Sequence, residues 1–387
     1  MKIIKLTLIL CLSICIIGFN KLDLLDENNP KWDIDSDKDG LPDAFEELIG
    51  TDKYNVDSDK DNINDEEEIK LGFDPNVRDL NRNYHYKLNN KYISDNFDLN
   101  NKISVTEKMI FESCQIVSEK FYENPTGKTV GEVFLDKYKS IKNFKIIRFE
   151  SGENGFGAIA LNLGDSIIVS YKPTRSFRDW IENFTTQFMP HPQRGYAIEF
   201  TEPIINKNVQ IYTCGHSLGG LLAQYVTYDL VNKGYKNIKT ITFNSANSFN
   251  PKHMQGKYAP PIIKSNLVKD YINVYIDVIN QKDEGYIVDL TSINKFLIKS
   301  IDYNGFVDIN NNKFKESDFK DYEEIVTNYI TCNDPLYLTI NGGYLGKCNI
   351  VNMNCGNLDF KRDIQELIKF HDLKNFSKTI ENWYHFT

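Results

Sequence analysis

The sequence predicts an α/β fold with a mostly parallel central sheet, preceded by a small N-terminal module built from two repeats. Three observations support this prediction. From about Ile103 onwards, apolar strand-like runs alternate with helical patterns, as in parallel sheets covered by helices on both faces. One strand-to-helix junction carries the motif Gly-His-Ser-Leu-Gly at 215–219. Ahead of this region, two acidic segments repeat the same spacing.

Length and composition limit the domain organisation and the classes of partner that the chain can have. The chain has 387 residues, enough for one large core and an appended module. Hydrophobic residues make up 41% and charged residues 26%, the balance of an ordinary globular protein. The formal net charge of −9 argues against a nucleic-acid partner, because a phosphate binder needs a basic surface.

The N-terminus is typical of a targeting segment. Lys2 and Lys5 precede an apolar run, Leu6–Gly18, that has the length of a signal-peptide core. The alternative is a lipoprotein signal in which 12–15 forms the lipobox and Cys15 carries the lipid. Both interpretations predict export, so the mature protein is expected to be secreted or attached to the cell surface.

Composition divides the chain into five segments. The expected boundaries are a signal at 1–18, a polar linker at 19–32, the repeats at 33–75, a second Asn- and Lys-rich linker at 76–102, and a globular domain at 103–387.

The two repeats place acidic residues at positions 1, 3, 5, 9 and 12 of a loop, with Gly40 or Asn62 at position 6. This pattern indicates Ca²⁺ sites, because calcium takes six to eight oxygen ligands and a final Glu can supply two of them. The alternative is a solvated acidic linker. The predicted ligands are Asp35, Asp37, Asp39, Asp43 and Glu46 in the first loop, and Asp57, Asp59, Asp61, Asp65 and Glu68 in the second.

Residues 33–75 resemble bacterial thrombospondin type 3 repeats. That resemblance implies calcium binding at the cell exterior, with Leu41 and Ile63 as buried anchors between the ligands.

Within the globular domain, the first predicted elements are a helix and a hairpin. The helix is expected to start near Thr106, with Ser104 and Glu107 forming a capping box. The hairpin spans 156–170 and turns at 162–165.

The remaining predicted strands and helices lie before and after the motif at 215–219. Strands are predicted at Val209–Cys214, Ile238–Phe243 and Val274–Ile279, and helices at Leu218–Asn232, which Gly234 ends, and Asp363–Phe370.

The motif at 215–219 predicts that Ser217 is a nucleophile. A strand before it and a helix after it form the sharp turn that raises a serine hydroxyl into a cleft beside free helix amides. The alternative is a tight strand-to-helix turn without chemistry.

A serine hydroxyl needs a base and an orienting acid, which follow it in the chain order serine, acid, histidine. Asp283, on the loop after the last predicted strand, is the expected acid, with Glu284 and Asp289 as competitors. Among later histidines, His371 is preferred as the base over His385, which lies next to the chain end.

Residues 156–285 resemble the class 3 lipase family, and the resemblance extends to His371. It implies an α/β-hydrolase fold and a Ser217–Asp283–His371 triad. The stretch 167–174, followed by Asp179-Trp180, matches the family's oxyanion segment, so Thr174 and the Leu218 amide are the implied oxyanion-hole groups.

The sequence departs from that family at Lys172-Pro173, which stand where the family has Arg-Gly. The favoured function is a lipase or phospholipase acting on acyl esters, with transient contact to a membrane surface and no catalytic metal. Two alternatives stay open: a calcium-stabilised binding protein on a hydrolase scaffold, and a peptidase or acyltransferase that uses the same triad.

Overall fold

The structure is a computed structural model that describes residues 24, 29–78, 104–152, 155–173, 192–246, 249, 322–331, 344–351, 372–373 and 376. The predicted targeting segment, most of the second linker, the strand at 274–279 and the helix at 363–370 lie outside the described residues.

A seven-stranded mixed sheet forms the centre of the described chain. Its strands are β1 (Lys145–Ser151), β2 (Gly157–Asn162), β3 (Ser166–Tyr171), β4 (Gln210–His216), β5 (Ile238–Phe243), β6 (Val326–Thr331) and β7 (Lys347–Val351). Neighbours in space follow chain order. The first two pairings are antiparallel and the pairings from β3 to β7 are parallel, which confirms a mostly parallel sheet.

Six α-helices accompany the sheet in the described residues. They are α1 (Asp43–Ile49), α2 (Asp65–Leu71), α3 (Glu107–Ile116), α4 (Val130–Phe134), α5 (Arg194–Thr201) and α6 (Leu218–Asn232). Short 3-10 turns occupy Pro30–Asp33 and Glu202–Ile204.

Several local predictions are confirmed. The hairpin forms from β2 and β3, which pair antiparallel and place Ala158 opposite Tyr171. Helix α6 and strand β5 have the predicted bounds, and Gly234 follows α6 with φ 84°.

The predicted capping box of α3 is wrong. Thr106, not Ser104, caps this helix, because the Thr106 side chain accepts a hydrogen bond from the Met109 amide at 3.3 Å. A hydroxyl at the residue directly before the helix reaches the third helical amide, whereas Ser104 lies two residues too early.

Each face of the sheet is buried by a separate apolar cluster. Ile167 and Val169 of β3 join the cluster around α6, while Ile168 between them joins the cluster around α3. This alternation places the sheet between two helical layers, since successive strand side chains point to opposite faces. No helix in the described part of the chain is long and apolar enough to cross a membrane.

The N-terminal module has a small core of its own and also touches the main domain. Leu41, Phe45 and Ile69 pack together between α1 and α2. Just after α2, Phe73 is 4% exposed and belongs to the same apolar cluster as α6. The repeats are therefore packed against the sheet domain.

Candidate active site and acidic loops

Ser217 lies at the corner between β4 and α6. It is the residue directly before α6 and has φ 55° and ψ −124°, a backbone conformation that costs a non-glycine residue about 1–3 kcal/mol. Only 5% of Ser217 is exposed. A strained serine held at a strand-to-helix corner is the geometry that presents a nucleophilic hydroxyl.

Two motif glycines allow the corner to close. A Cβ atom on Gly215 would lie 2.1 Å from the Gly219 carbonyl carbon, and one on Gly219 would lie 2.1 Å from the Tyr171 carbonyl oxygen. Neither position can hold a side chain without moving backbone. The spacing of the motif therefore reflects contacts between β4, α6 and the end of β3.

The same contact brings the predicted oxyanion segment to the corner. Tyr171, which touches Gly219, is followed by Lys172-Pro173, where the described stretch ends. Leu218 is the first residue of α6, so its amide has no acceptor within the helix. Thr174, Asp283 and His371 lie outside the described residues.

The end of the neighbouring strand β5 and the turn after it hydrogen-bond to the backbone of Ser217. The Ser217 amide donates to the Phe243 carbonyl at 3.2 Å, and the Ser217 carbonyl accepts from the Ala246 amide at 3.1 Å. Phe243 is the last residue of β5, so the turn after β5 and the turn after β4 form one hydrogen-bonded unit.

A buried polar network that no sequence pattern had predicted lies beside this unit. The Gln224 side chain donates to Ser245 Oγ at 2.8 Å and accepts from the Leu345 amide at 2.7 Å. Asn244, with φ 40°, accepts from the Thr331 amide at 2.8 Å. A glutamine on the core side of a helix is a pattern that could have indicated Gln224.

Residues just after the predicted base pack near the corner. Leu373 is 9% exposed, and Phe376 is fully buried with its ring centroid 5.3 Å from that of Phe243. Phe376 is thus packed on Phe243, whose carbonyl accepts a hydrogen bond from the Ser217 amide.

The two acidic loops fold alike. In the first loop, Asp35 accepts hydrogen bonds from the Lys38 and Gly40 amides at 2.7 and 3.1 Å. In the second, Asp57 accepts from the Lys60 and Asn62 amides at 2.8 and 2.9 Å. Gly40 and Asn62 both have positive φ, 108° and 74°, so asparagine serves where the first loop has glycine.

Three carboxylates in each loop lie close together. Within each group, carboxylate oxygens lie within 4.8 Å of one another; the groups are Asp35, Asp37 and Asp39 in the first loop, and Asp57, Asp59 and Asp61 in the second.

The ninth-position residues are held by the loops themselves. Both oxygens of Asp43 accept from Ser36, at 2.9 Å each, and those of Asp65 accept from Ser58 at 2.9 and 2.7 Å. Asp43 and Asp65 therefore brace the loops in this structure.

The first loop contains three buried carboxylate oxygens without a hydrogen-bond donor in the described residues. Asp37 Oδ2, Asp39 Oδ2 and Glu46 Oε2 are buried and accept no hydrogen bond from the described residues. Burial, with the nearby charges of Asp37 and Asp39, raises the pKa of Glu46 to about 8. Burial likewise raises the pKa of Asp39 to about 6. A hard cation would satisfy these oxygens and offset their repulsion, so the residues fit calcium.

The implied anchor residues behave differently in the two repeats. Leu41 is fully buried, whereas Ile63 is only partly buried and lies outside the module's core cluster.

Comparison with protein families gives a match over part of the chain. The model of the family "Lipase (class 3)" matches residues 201–283, which include Ser217, α6 and β5. Together with the mixed sheet, this match supports a lipase-class α/β-hydrolase and an acyl-ester substrate.

Other comparisons add little. Curated proteins include no match to the chain. Among solved structures, it is similar to the Vlm2 thioesterase domain, which holds genetically encoded 2,3-diaminopropionic acid and a bound dodecadepsipeptide. That likeness has 15% identity and a TM-score of 0.17, and covers 51% of this chain and 75% of the thioesterase chain.

Proposed function

We propose that this protein is a serine ester hydrolase of the lipase or phospholipase type, with Ser217 as its nucleophile. The observation that carries the proposal is the backbone of Ser217, which is held at φ 55° on the strand-to-helix corner. A serine tolerates this cost where the surrounding packing enforces it, and such strain concentrates at functional sites.

The reaction proceeds by acyl transfer to Ser217. His371 removes the hydroxyl proton as the oxygen attacks the ester carbonyl, and later returns a proton to the leaving alcohol. Asp283 orients His371. The Leu218 amide, at the positive end of α6, and Thr174 stabilise the oxyanion. Water then attacks the acyl-enzyme and releases the acid.

The anchoring of Leu373 and Phe376 supports His371 as the base. His371 is two positions before Leu373, a reach of about 7 Å for an extended chain. Phe376 packs on Phe243, whose carbonyl accepts from the Ser217 amide. Phe376, five positions after His371 in the sequence, is thus packed on the strand end that borders Ser217.

The acidic loops are proposed to bind structural Ca²⁺ through their convergent carboxylates, with Glu46 and Glu68 completing the two sites. The metal supplies charge compensation in the module and takes no part in ester chemistry. Export through residues 1–18 is proposed on the charge and length of that segment, either as a secreted form or as a lipoprotein attached through Cys15.

Covalent labelling tests the hydrolase proposal. A fluorophosphonate probe should label the wild-type chain at Ser217, and Ser217→Ala should lose both labelling and ester hydrolysis, by about 10⁴-fold or more. Ser245→Ala, which alters a buried serine near the same turn, is the matched control and should still be labelled. Labelling that persists in Ser217→Ala would contradict the assignment.

A substrate panel then separates the alternatives. Acyl esters of graded chain length and phospholipids in vesicles should be cleaved faster than matched peptides or thioesters. If the unlabelled wild-type enzyme cleaves peptides alone, the nucleophile assignment stands but the lipase class does not.

A further inference from the structure

The repeat module contacts the sheet domain through residues 70–73, which pack against 194–196 of α5. We call this contact the seam, and it begins at the end of α2. Gly72 ends this helix in a left-handed conformation, φ 83°, and both the Gly72 and Phe73 amides donate to the Glu68 carbonyl at 2.8 Å. Glu68 is the last predicted ligand of the second loop. The residue expected to close on the cation is therefore hydrogen-bonded to the residues that form the seam.

Hydrogen bonds join the module and α5 directly across this seam. The Gly195 amide donates to the Gly72 carbonyl at 2.8 Å, and Arg194 Nη2 donates to the Lys70 carbonyl at 2.6 Å. Two glycines make the approach possible. A Cβ on Gly72 would lie 2.6 Å from Arg194 Nε, and one on Gly195 would lie 2.7 Å from the Leu71 carbonyl oxygen.

Phe73 anchors the seam in the main core. Its ring packs edge-on against Tyr196 with centroids 4.9 Å apart, and Tyr196 in turn lies 5.8 Å from Phe156. Burying a phenylalanine side chain contributes strongly to docking, through the hydrophobic effect. Docking also has an opposing cost, since burial lowers the pKa of Arg194 to about 10, as expected for a charge removed from water.

From α5 the contacts continue to the nucleophile corner. At the last residue of α5, Thr201 Oγ1 hydrogen-bonds the Tyr171 hydroxyl at 2.5 Å. The Tyr171 carbonyl is the group that Gly219 approaches next to Ser217. Contiguous packing thus joins Glu68 to the end of β3, where the predicted oxyanion segment begins.

We propose that the repeat module is a metal-dependent clamp on α5, so that cation binding in the acidic loops stabilises the domain that carries Ser217. This inference rests on the proposed calcium binding and adds that the module acts on the hydrolase domain through the Phe73 seam. A ligand that binds only the folded module stabilises whatever folds together with it.

Hydrogen exchange of the full chain measures the clamp directly. Peptides covering 194–201 should exchange roughly tenfold more slowly, or slower still, with calcium chloride at about 100 times its Kd than with chelator. Phe73→Ala keeps all ten predicted ligands, so calorimetry should still detect calcium binding, but protection at 194–201 should no longer depend on calcium. Tyr54→Ala, which removes an aromatic ring that is 73% exposed in the same module, should behave like wild type.

The outcomes separate the two proposals. If wild type gives no heat of calcium binding, the metal proposal fails. If calcium binds and protects only the loops at 35–46 and 57–68, leaving 194–201 unchanged, the clamp is overturned. Glu68→Gln provides a second variant if Phe73→Ala does not fold, and it should reduce the calcium-dependent protection at 194–201 while Phe73 remains in place.

Discussion

The acidic loops and the Ser217 corner both use left-handed backbone, but they stabilise it in different ways. In the loops, positive φ falls at Lys38 and Gly40 and again at Lys60 and Asn62, and side chains only a few residues away hydrogen-bond the turn. At the corner, one serine adopts φ 55° because three separate strands and a helix press around it. Local repetition shapes the first region, and long-range packing shapes the second.

This comparison also explains why glycines matter differently in the two regions. Gly50, which ends α1 with φ 91°, has no atom within 4 Å of a Cβ built on it. Gly219 has backbone on that side at 2.1 Å. At Gly50 glycine supplies conformational freedom, whereas at Gly219 it supplies space.

The largest expected change in stability follows from the difference between Gly219 and Gly50. Gly219→Ala should destabilise the protein by about 3 kcal/mol or more, because the new methyl group overlaps the Tyr171 carbonyl. Gly50→Ala should cost about 1 kcal/mol, from backbone strain alone. Urea unfolding of the two variants measures the difference. Equal losses would mean that the corner is no more tightly packed than the loop.

A smaller effect, which changes sign with calcium, is expected at Glu46. In chelator at pH 7, Glu46→Gln should raise the free energy of unfolding of the module by about 1–3 kcal/mol, because Glu46, with a pKa of about 8, must take up a proton on folding whereas glutamine needs none. In saturating calcium the same variant should be less stable than wild type, since a ligand oxygen has lost its charge. Thermal unfolding in both buffers checks this reversal. Stabilisation in both buffers would argue against a cation at Glu46.

The smallest effect concerns strain at the nucleophile. Ser217→Gly should be more stable than Ser217→Ala by about 1 kcal/mol, because glycine adopts φ 55° without a Cβ clash while both variants lack the hydroxyl. The difference in the free energy of unfolding between these two inactive variants measures the cost of the backbone conformation at position 217. If alanine proves as stable as glycine, the corner is not strained.

Local sequence patterns predicted the elements around Ser217 well. The bounds of α6 and β5 were predicted because a long apolar helix followed by a glycine, and a short β-branched strand, are each specified within a few residues. The α3 cap was missed for a local reason too, since Ser104 and Thr106 both carry hydroxyls and only the true helix start selects Thr106.

By itself, the sequence determined the repeated acidic loops, the hairpin and the strand-to-helix corner, because each depends on side chains that are close together along the chain. Only the tertiary structure revealed the Gln224–Ser245–Leu345 network and the Phe73 seam. Gln224 and Leu345 lie 121 positions apart in the network, and Lys70 and Arg194 lie 124 positions apart across the seam. In the sequence, nothing distinguishes Phe73 from any other apolar residue after a helix. Its role appears only when the fold places Tyr196 beside it. Contacts of that kind arise from packing many elements at once, and no short stretch of sequence specifies them.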